Sequence, residues 1–142
     1  MIAVTCGSGA VRVELVRSGV LYGRMSGVIT IGTLSAMSAE RQRQMPGMPA
    51  AAVIDYRHAV VAFSARQLSN WMRDQGAGFR CVPSALVAHE EYVDLFLQHA
   101  ADMAVSAVNR QVFLDPLQAL DWATAHGVRR QWTSSLGLQR AR

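Results

Sequence analysis

The sequence predicts an α/β domain: a small mixed β-sheet of about five strands, an N-terminal antiparallel hairpin followed by parallel strands, with about four helices packed on it. Three observations lead there. Apolar and polar residues alternate from Val11 to Arg17, apolar residues recur at helical spacing from Val93 to Ala107, and beyond residue 50 strand-like and helix-like segments take turns. The last pattern is that of parallel strands joined by crossover helices.

In chain order, the first strand places Val11, Val13 and Leu15 on one face and Arg12 and Glu14 on the other. Ser18-Gly19 supplies a turn, and Val20 to Ser26 completes the hairpin, with Gly27 ending it. Thr30 or Thr33 caps a helix to about Gln44 whose buried side carries Ile31, Leu34 and Met37. Met45-Pro46-Gly47-Met48-Pro49 cannot continue that helix and forms a loop. Ala51 to Asp55, an apolar run ending in an acid, is the expected central strand, buried on both faces, with Asp55 to Ser64 as a loop at its rim.

Ser64-Ala65-Arg66-Gln67 matches a capping box, so a helix starts there, with Leu68, Trp71 and Met72 inward and Gly76 or Gly78 as its stop. Phe79 to Ala88 is a further strand, and Pro83, which has no amide proton, implies an edge, a bulge or a start delayed to Ser84. Glu90 and Glu91 place negative charge at the start of the next helix, on which Val93, Phe96, Leu97, Ala100, Met103, Ala104 and Ala107 form the buried stripe. Gln111 to Leu114 is the last strand. Asp115-Pro116-Leu117-Gln118 combines an N-cap acid with Pro at the first helical position, so a final helix runs to about His126 with Gly127 as its stop.

The 142 residues, 51% hydrophobic and 17% charged, suffice for a core without disulfide or metal support. One domain is expected over 1–142, with its core at about 10–127 and a basic, solvated tail at 128–142. The longest apolar runs fall well short of a membrane span, and the N-terminus lacks the basic and apolar regions of a secretion signal, so a cytoplasmic location is expected. Cys6 and Cys81 stand far apart and are expected as reduced, packed thiols. The net charge is +4, carried entirely by Arg, but the arginines are spread from Arg12 to Arg142 rather than gathered on one run, which argues against nucleic acid as a partner.

Catalytic motifs are sparse. Asp55, His58 and Ser64 supply the residue types of a hydrolase triad, yet no G-x-S-x-G elbow surrounds Ser64. His89-Glu90-Glu91 lacks the second His at i+4 that H-E-x-x-H requires, because that position is Val93; His89 and His99 are expected at the surface or as caps, and no metal is expected. Gly7-Ser8-Gly9 and Gly76-Ala77-Gly78 match no phosphate-binding pattern, and a chain without Lys has no P-loop. Met25, Met37, Met45, Met48, Met72 and Met103 raise an adaptable apolar pocket as an alternative to plain core filling. Trp122 and Trp132 are expected to pack near the C-terminus.

Two segments carry a family resemblance. Arg110-Gln111-Val112-Phe113-Leu114-Asp115-Pro116-Leu117-Gln118-Ala119-Leu120-Asp121-Trp122 is similar to the closing strand and Asp-capped helix of STAS-like domains, the fold of bacterial anti-sigma-factor antagonists. Val53-Ile54-Asp55, followed by Ser64 opening a helix, resembles that family's central strand, loop and regulatory serine. The resemblance spans about Val11 to Gly127. It implies a non-enzymatic regulatory module of a bacterium, without cofactor, that binds a protein partner through Asp55, Tyr56, Arg57, His58, Ser64 and Arg66, with Ser64 a phosphorylation candidate. The sequence departs from the family's Asp-Ser-Ser-Gly, having Phe63-Ser64-Ala65-Arg66 instead. A small-molecule or lipid carrier and a Ser64 hydrolase are the alternatives. An exposed hairpin edge allows a homodimer.

Overall fold

A computed structural model describes residues 1–16, 19–75, 81–104 and 109–140, with side chains described as far as Val128. The chain forms a six-stranded mixed sheet in sequential order: β1 (Ile2–Cys6), β2 (Gly9–Val16), β3 (Val20–Ile29), β4 (Ala51–Val61), β5 (Ser84–Val87) and β6 (Arg110–Phe113). β1, β2 and β3 pair antiparallel, and β3 to β6 pair parallel. The helices are α1 (Ile31–Gln44), α2 (Ala65–Arg73), α3 (Val93–Ala104), entered through a 3-10 turn at Glu90–Tyr92, and α4 (Pro116–Arg140).

Strand alternation divides the interior into two layers. Val11, Val13, Met25, Tyr56 and Leu86 meet Leu34 and Met37 of α1, Leu68 of α2 and Phe96 of α3 on one face. Val20, Ala51, Val53, Ala85 and Val87 meet Ala119 and Ala123 of α4 on the other. Because successive β4 residues point to opposite faces, that strand is buried on both, as its apolar composition required.

The capping signals hold at atomic detail. The Thr30 hydroxyl accepts from the Thr33 amide, Ser64 and Gln67 form the reciprocal capping box, and Asp115 Oδ1 accepts from the Leu117 amide at 2.9 Å. β5 starts at Ser84, directly after Pro83. The proposed helix stops Gly76 and Gly78, and Ala107, lie outside the described residues.

Several expectations are corrected. The sheet has a sixth strand, β1, in which Val4 alone is buried and Ile2 packs partly against the core; so short an alternation does not read as a strand. Gly7 and Ser8 are its turn to β2. Gly27 does not end β3. It adopts φ +74 where a Cβ would overlap the Ser8 carbonyl, so the strand passes beneath the β1–β2 turn and pairs on to Ile29–Val61. On α3 the buried line is Phe96, His99 and Met103, whereas Leu97 and Ala104 face outward. Ile31 is only half-buried, and Arg41 joins Thr33, Leu34 and Met37 on the inner side of α1. Both cysteines are free, but Cys81 is exposed rather than packed.

Gly127 likewise does not stop the last helix, whose backbone continues through the expected tail to Arg140. A Cβ on Gly127 would lie 3.2 Å from that of Ala50 and 3.3 Å from that of Ala51, so the glycine lets α4 sit against the start of β4. Gly127→Leu is expected to force this contact apart and destabilise the protein by about 1–3 kcal/mol, read as a lower denaturant midpoint at unchanged m-value. Trp122 packs at 5.9 Å from the Phe113 ring and stacks on His126.

Candidate functional site

The stretch following Ile54 is strand rather than loop. β4 runs to Val61, and only Ala62 and Phe63 separate it from the Ser64 cap. A register shift opposite Arg24 and Ser26 accommodates Asp55 to His58. The β-branched run Val60-Val61 and the pairing partners that β3 offers beyond Gly27 extend the strand past the acid that was expected to end it.

The six residues singled out there are dispersed. Asp55 is fully buried on the α4 face and accepts from the Arg57 side chain at 3.0 and 2.8 Å, from the Arg57 amide at 3.0 Å and from the Tyr22 hydroxyl at 3.0 Å. Burial alone would raise its pKa, but these hydrogen bonds outweigh burial and hold the carboxyl below its ordinary value. Tyr56 points to the opposite face, into an aromatic cluster with Phe63 and Phe96. His58 is exposed. Ser64 and Arg66 are exposed at the start of α2, where the Ser64 hydroxyl accepts from the Gln67 amide at 3.1 Å. With Asp55 held by Arg57 and Ser64 engaged in its cap, no hydrogen bond joins Asp55, His58 and Ser64 into a triad. Ser64→Ala should cost about 1 kcal/mol of stability, while Ser64→Asp, which also caps, should cost little, as denaturant titration of the two variants would show.

The sheet face beneath α1 and α2 holds a cavity of about 110 Å³, lined in part by methionines that raised an apolar pocket as an alternative. Its floor includes Val13, Gly23, Ala52 and Ile54, and its roof includes Met37, Leu68 and Met72. Gly23 sits in mid-strand, and the nearest atom to a Cβ built there is Val11 Cγ2 at 3.6 Å, so the missing side chain is part of the void. Of the methionines noted above, Met25, Met37 and Met72 line the cavity; Met48 is exposed.

Two arginines reach this space from opposite sides, Arg41 from α1, which packs on β1 and β2, and Arg110 from β6 at the far edge. Arg41 is only 7% exposed and donates to the carbonyls of Met45 and Gly47 at 3.2 and 3.3 Å, closing the end of α1. Arg110 donates Nη2–H to Met72 Sδ at 3.0 Å, and its buried Nε has no partner. Burial lowers the guanidinium to about 10, still cationic at neutral pH, and pushes the Tyr56 phenol up to about 12 against the opposing pull of Arg110. Neither arginine was singled out as a site residue in the sequence. Arg41 carried a local signal, since it continues the stripe Leu34, Met37 at i+7; Arg110 carried none, since its contact with Met72 on α2 comes from far away in the chain.

Nearby, His99 Nδ1 lies 2.8 Å from Ser69 Oγ, both residues fully buried, and His99 Nε2 has no hydrogen-bond partner. Burial, then the charge of Arg110, lowers His99 to about 3. The expectation of a surface or capping role is therefore wrong for His99, which α3 turns inward; His89 does cap, its Nδ1 accepting from the Glu91 amide at 3.2 Å. Among the described residues, no cluster of three His, Cys, Asp or Glu side chains could hold a metal, and no helix is long and apolar enough to cross a membrane.

No protein-family model matches the chain, and no curated protein matches it. Among solved structures it is similar to an uncharacterized protein of the DUF3478 family from Shewanella loihica PV-4, which has a SpoIIAA-like fold. The TM-score is 0.52 at 18% identity, covering 87% of this chain and 99% of that one. The fold is thus SpoIIAA-like, the architecture to which the terminal strand-and-helix motif pointed.

Proposed function

We propose that the domain is a non-enzymatic binding module that takes a small, largely apolar molecule into the cavity between its sheet and helices α1 and α2. The observation that supports this reading is the cavity itself: a void of about 110 Å³ floored by a mid-strand glycine and roofed in part by methionines. A glycine there forgoes both β-propensity and apolar burial, a loss that a binding site would explain. Thioethers suit such a roof because they repack around different shapes.

Gly23→Val tests it. The added methyls have room in the void, so the variant should be more stable than the native protein by about 1 kcal/mol, and it should lose binding. A panel of small aromatic and short-chain compounds, followed by native mass spectrometry and thermal shift, reads the binding. If none of them binds the native protein, or if Gly23→Val binds them equally well, the reading fails.

A regulatory role through a protein partner is the second reading. It is favoured by Val28 and Val60, paired neighbours at the ends of β3 and β4 that are 39% and 54% exposed, close in sequence to exposed His58, Ser64 and Arg66. Capture of a specific partner from a bacterial cytoplasm, weakened by Ser64→Asp or Arg66→Glu, would support it; a partner retained equally by both variants would not. The outer edge of β1, unpaired among the described residues, offers a place for a second copy of the chain.

A further inference from the structure

Resting on the cavity reading above, we infer that the ligand is an anion, a carboxylate on a compact apolar body, and that its acid group is seated on Arg110. The acids that form ion pairs among the described residues already have arginines of their own: Asp55 holds Arg57, Asp102 holds Arg73 and Glu40 holds Arg43. Arg110 has none. Its one hydrogen bond goes to a thioether sulfur, a weak acceptor, and its Nε is buried without any partner. Arg110 is half-buried, with its Nε wholly enclosed, and a partly desolvated guanidinium without an anion keeps donor capacity that a bound carboxylate would satisfy.

The surroundings of Arg110 supply no compensating charge. Tyr56 stays a neutral phenol and His99 a neutral imidazole, both by burial. Across the cavity Arg41 adds a second positive charge, with its Nη1 committed to the α1 terminus. The space therefore has largely apolar walls and a cation at each side, and the Arg110 side offers an enclosed N–H without a partner. The planar fork of a guanidinium matches the two oxygens of a carboxylate.

Volume limits the rest of the molecule. A cavity of ~150 Å³ accepts benzene, so about 110 Å³ sets one ring or a short branched alkyl group as the upper size of the body it can enclose. A long acyl chain exceeds it.

The test titrates benzoate and 3-methylbutanoate against the neutral isosteres toluene and benzyl alcohol, by calorimetry, on the native protein, on Arg110→Met and on Arg110→Gln. The native protein should bind the acids at least tenfold more tightly than the neutral compounds. Arg110→Met should lose that preference tenfold or more, keep toluene binding, and melt no lower than the native protein, because a half-buried cation without an anion has been replaced by an apolar group of similar length. Arg110→Gln gives the same comparison if the methionine variant does not fold. Native protein that binds toluene but not the acids overturns the anionic assignment and leaves the cavity reading intact. Binding of neither class overturns both. Acid binding that survives both substitutions overturns the role of Arg110, as does a large loss of stability in both variants with binding of acid and toluene reduced alike.

Discussion

Arg57→Ala lowers stability at neutral pH by about 3 kcal/mol, toward the lower end of the range for breaking a buried ion pair because Arg57 is itself about one-third exposed. The substitution leaves the fully buried Asp55 carboxylate with only the Tyr22 hydroxyl and one backbone amide. Asp55→Asn should cost less, about 1–2 kcal/mol, because it removes the charge along with its partner and leaves an amide able to bond Tyr22. The order of the two variants is diagnostic, since a surface ion pair would show neither a large effect nor an asymmetry. With burial no longer offset by the guanidinium, the stranded carboxyl of Arg57→Ala is expected to titrate above its ordinary value, so that the unfolded state ionises first as pH rises. The deficit relative to native protein is therefore smaller at pH 5 than at pH 7. Urea titrations of both variants at the two pH values check this; equal deficits, or Asp55→Asn the worse of the two, would contradict it.

A second large effect is the acid sensitivity that His99 builds into the core. Its pKa is lowered in the folded state to about 3 from 6.5, so between these values the unfolded chain binds a proton that the folded protein excludes. The neutral-imidazole contribution is complete above pH 6.5 and is lost as pH falls toward the folded value, at a limiting slope of about 1.4 kcal/mol per pH unit. The groups facing His99 are Ser69 on α2, Arg110 on β6, and Asp102 and Arg73; Arg110 and Arg73 oppose imidazolium and Asp102 favours it, leaving burial dominant. Asp55, also lowered, adds acid sensitivity only below about its ordinary 3.8, so the window from pH 6.5 to 4.5 reports on His99. His99→Gln retains a polar partner for Ser69 but does not titrate, and should flatten the stability profile across that window. An unchanged profile would show that the imidazole is accessible to protons in the folded state.

Asp55 and His99 lie in different layers of the protein, and so do the two functional readings. The α4 face of β4 carries the Asp55–Arg57–Tyr22 cluster, in which both oxygens of the buried carboxylate accept hydrogen bonds. The α1–α2 face carries the unmatched one: a cavity, a cation without an anion and an imidazole nitrogen without a partner. A matched cluster stabilises a strand, whereas an unmatched one beside a void has room for a ligand. Attention to the chemistry-bearing residue types after Ile54 led to the first face; the candidate site lies on the second.

Local interactions explain what could be read from the sequence by itself. The Ser64–Gln67 capping box, the Thr30 and Asp115 caps, the alternation of β2 and the apolar β4 run each depend on residues within a few positions of one another. Each therefore left a pattern that short-range sterics and hydrogen bonding make nearly unambiguous, and together they sufficed for the mixed sheet, its four helices and the SpoIIAA-like architecture. What only the tertiary structure decided depends on partners far apart in the chain. β4 continues to Val61 because β3 pairs with it, α4 passes through Gly127 because Ala50 and Ala51 lie against it, and His99 turns inward because α3 crosses α2. The cavity is the extreme case: Gly23, Arg41 and Arg110 are unremarkable in their own neighbourhoods and become a site only where two helices bridge the sheet, since a void and an unpaired charge are properties of how surfaces fail to fill the space between them.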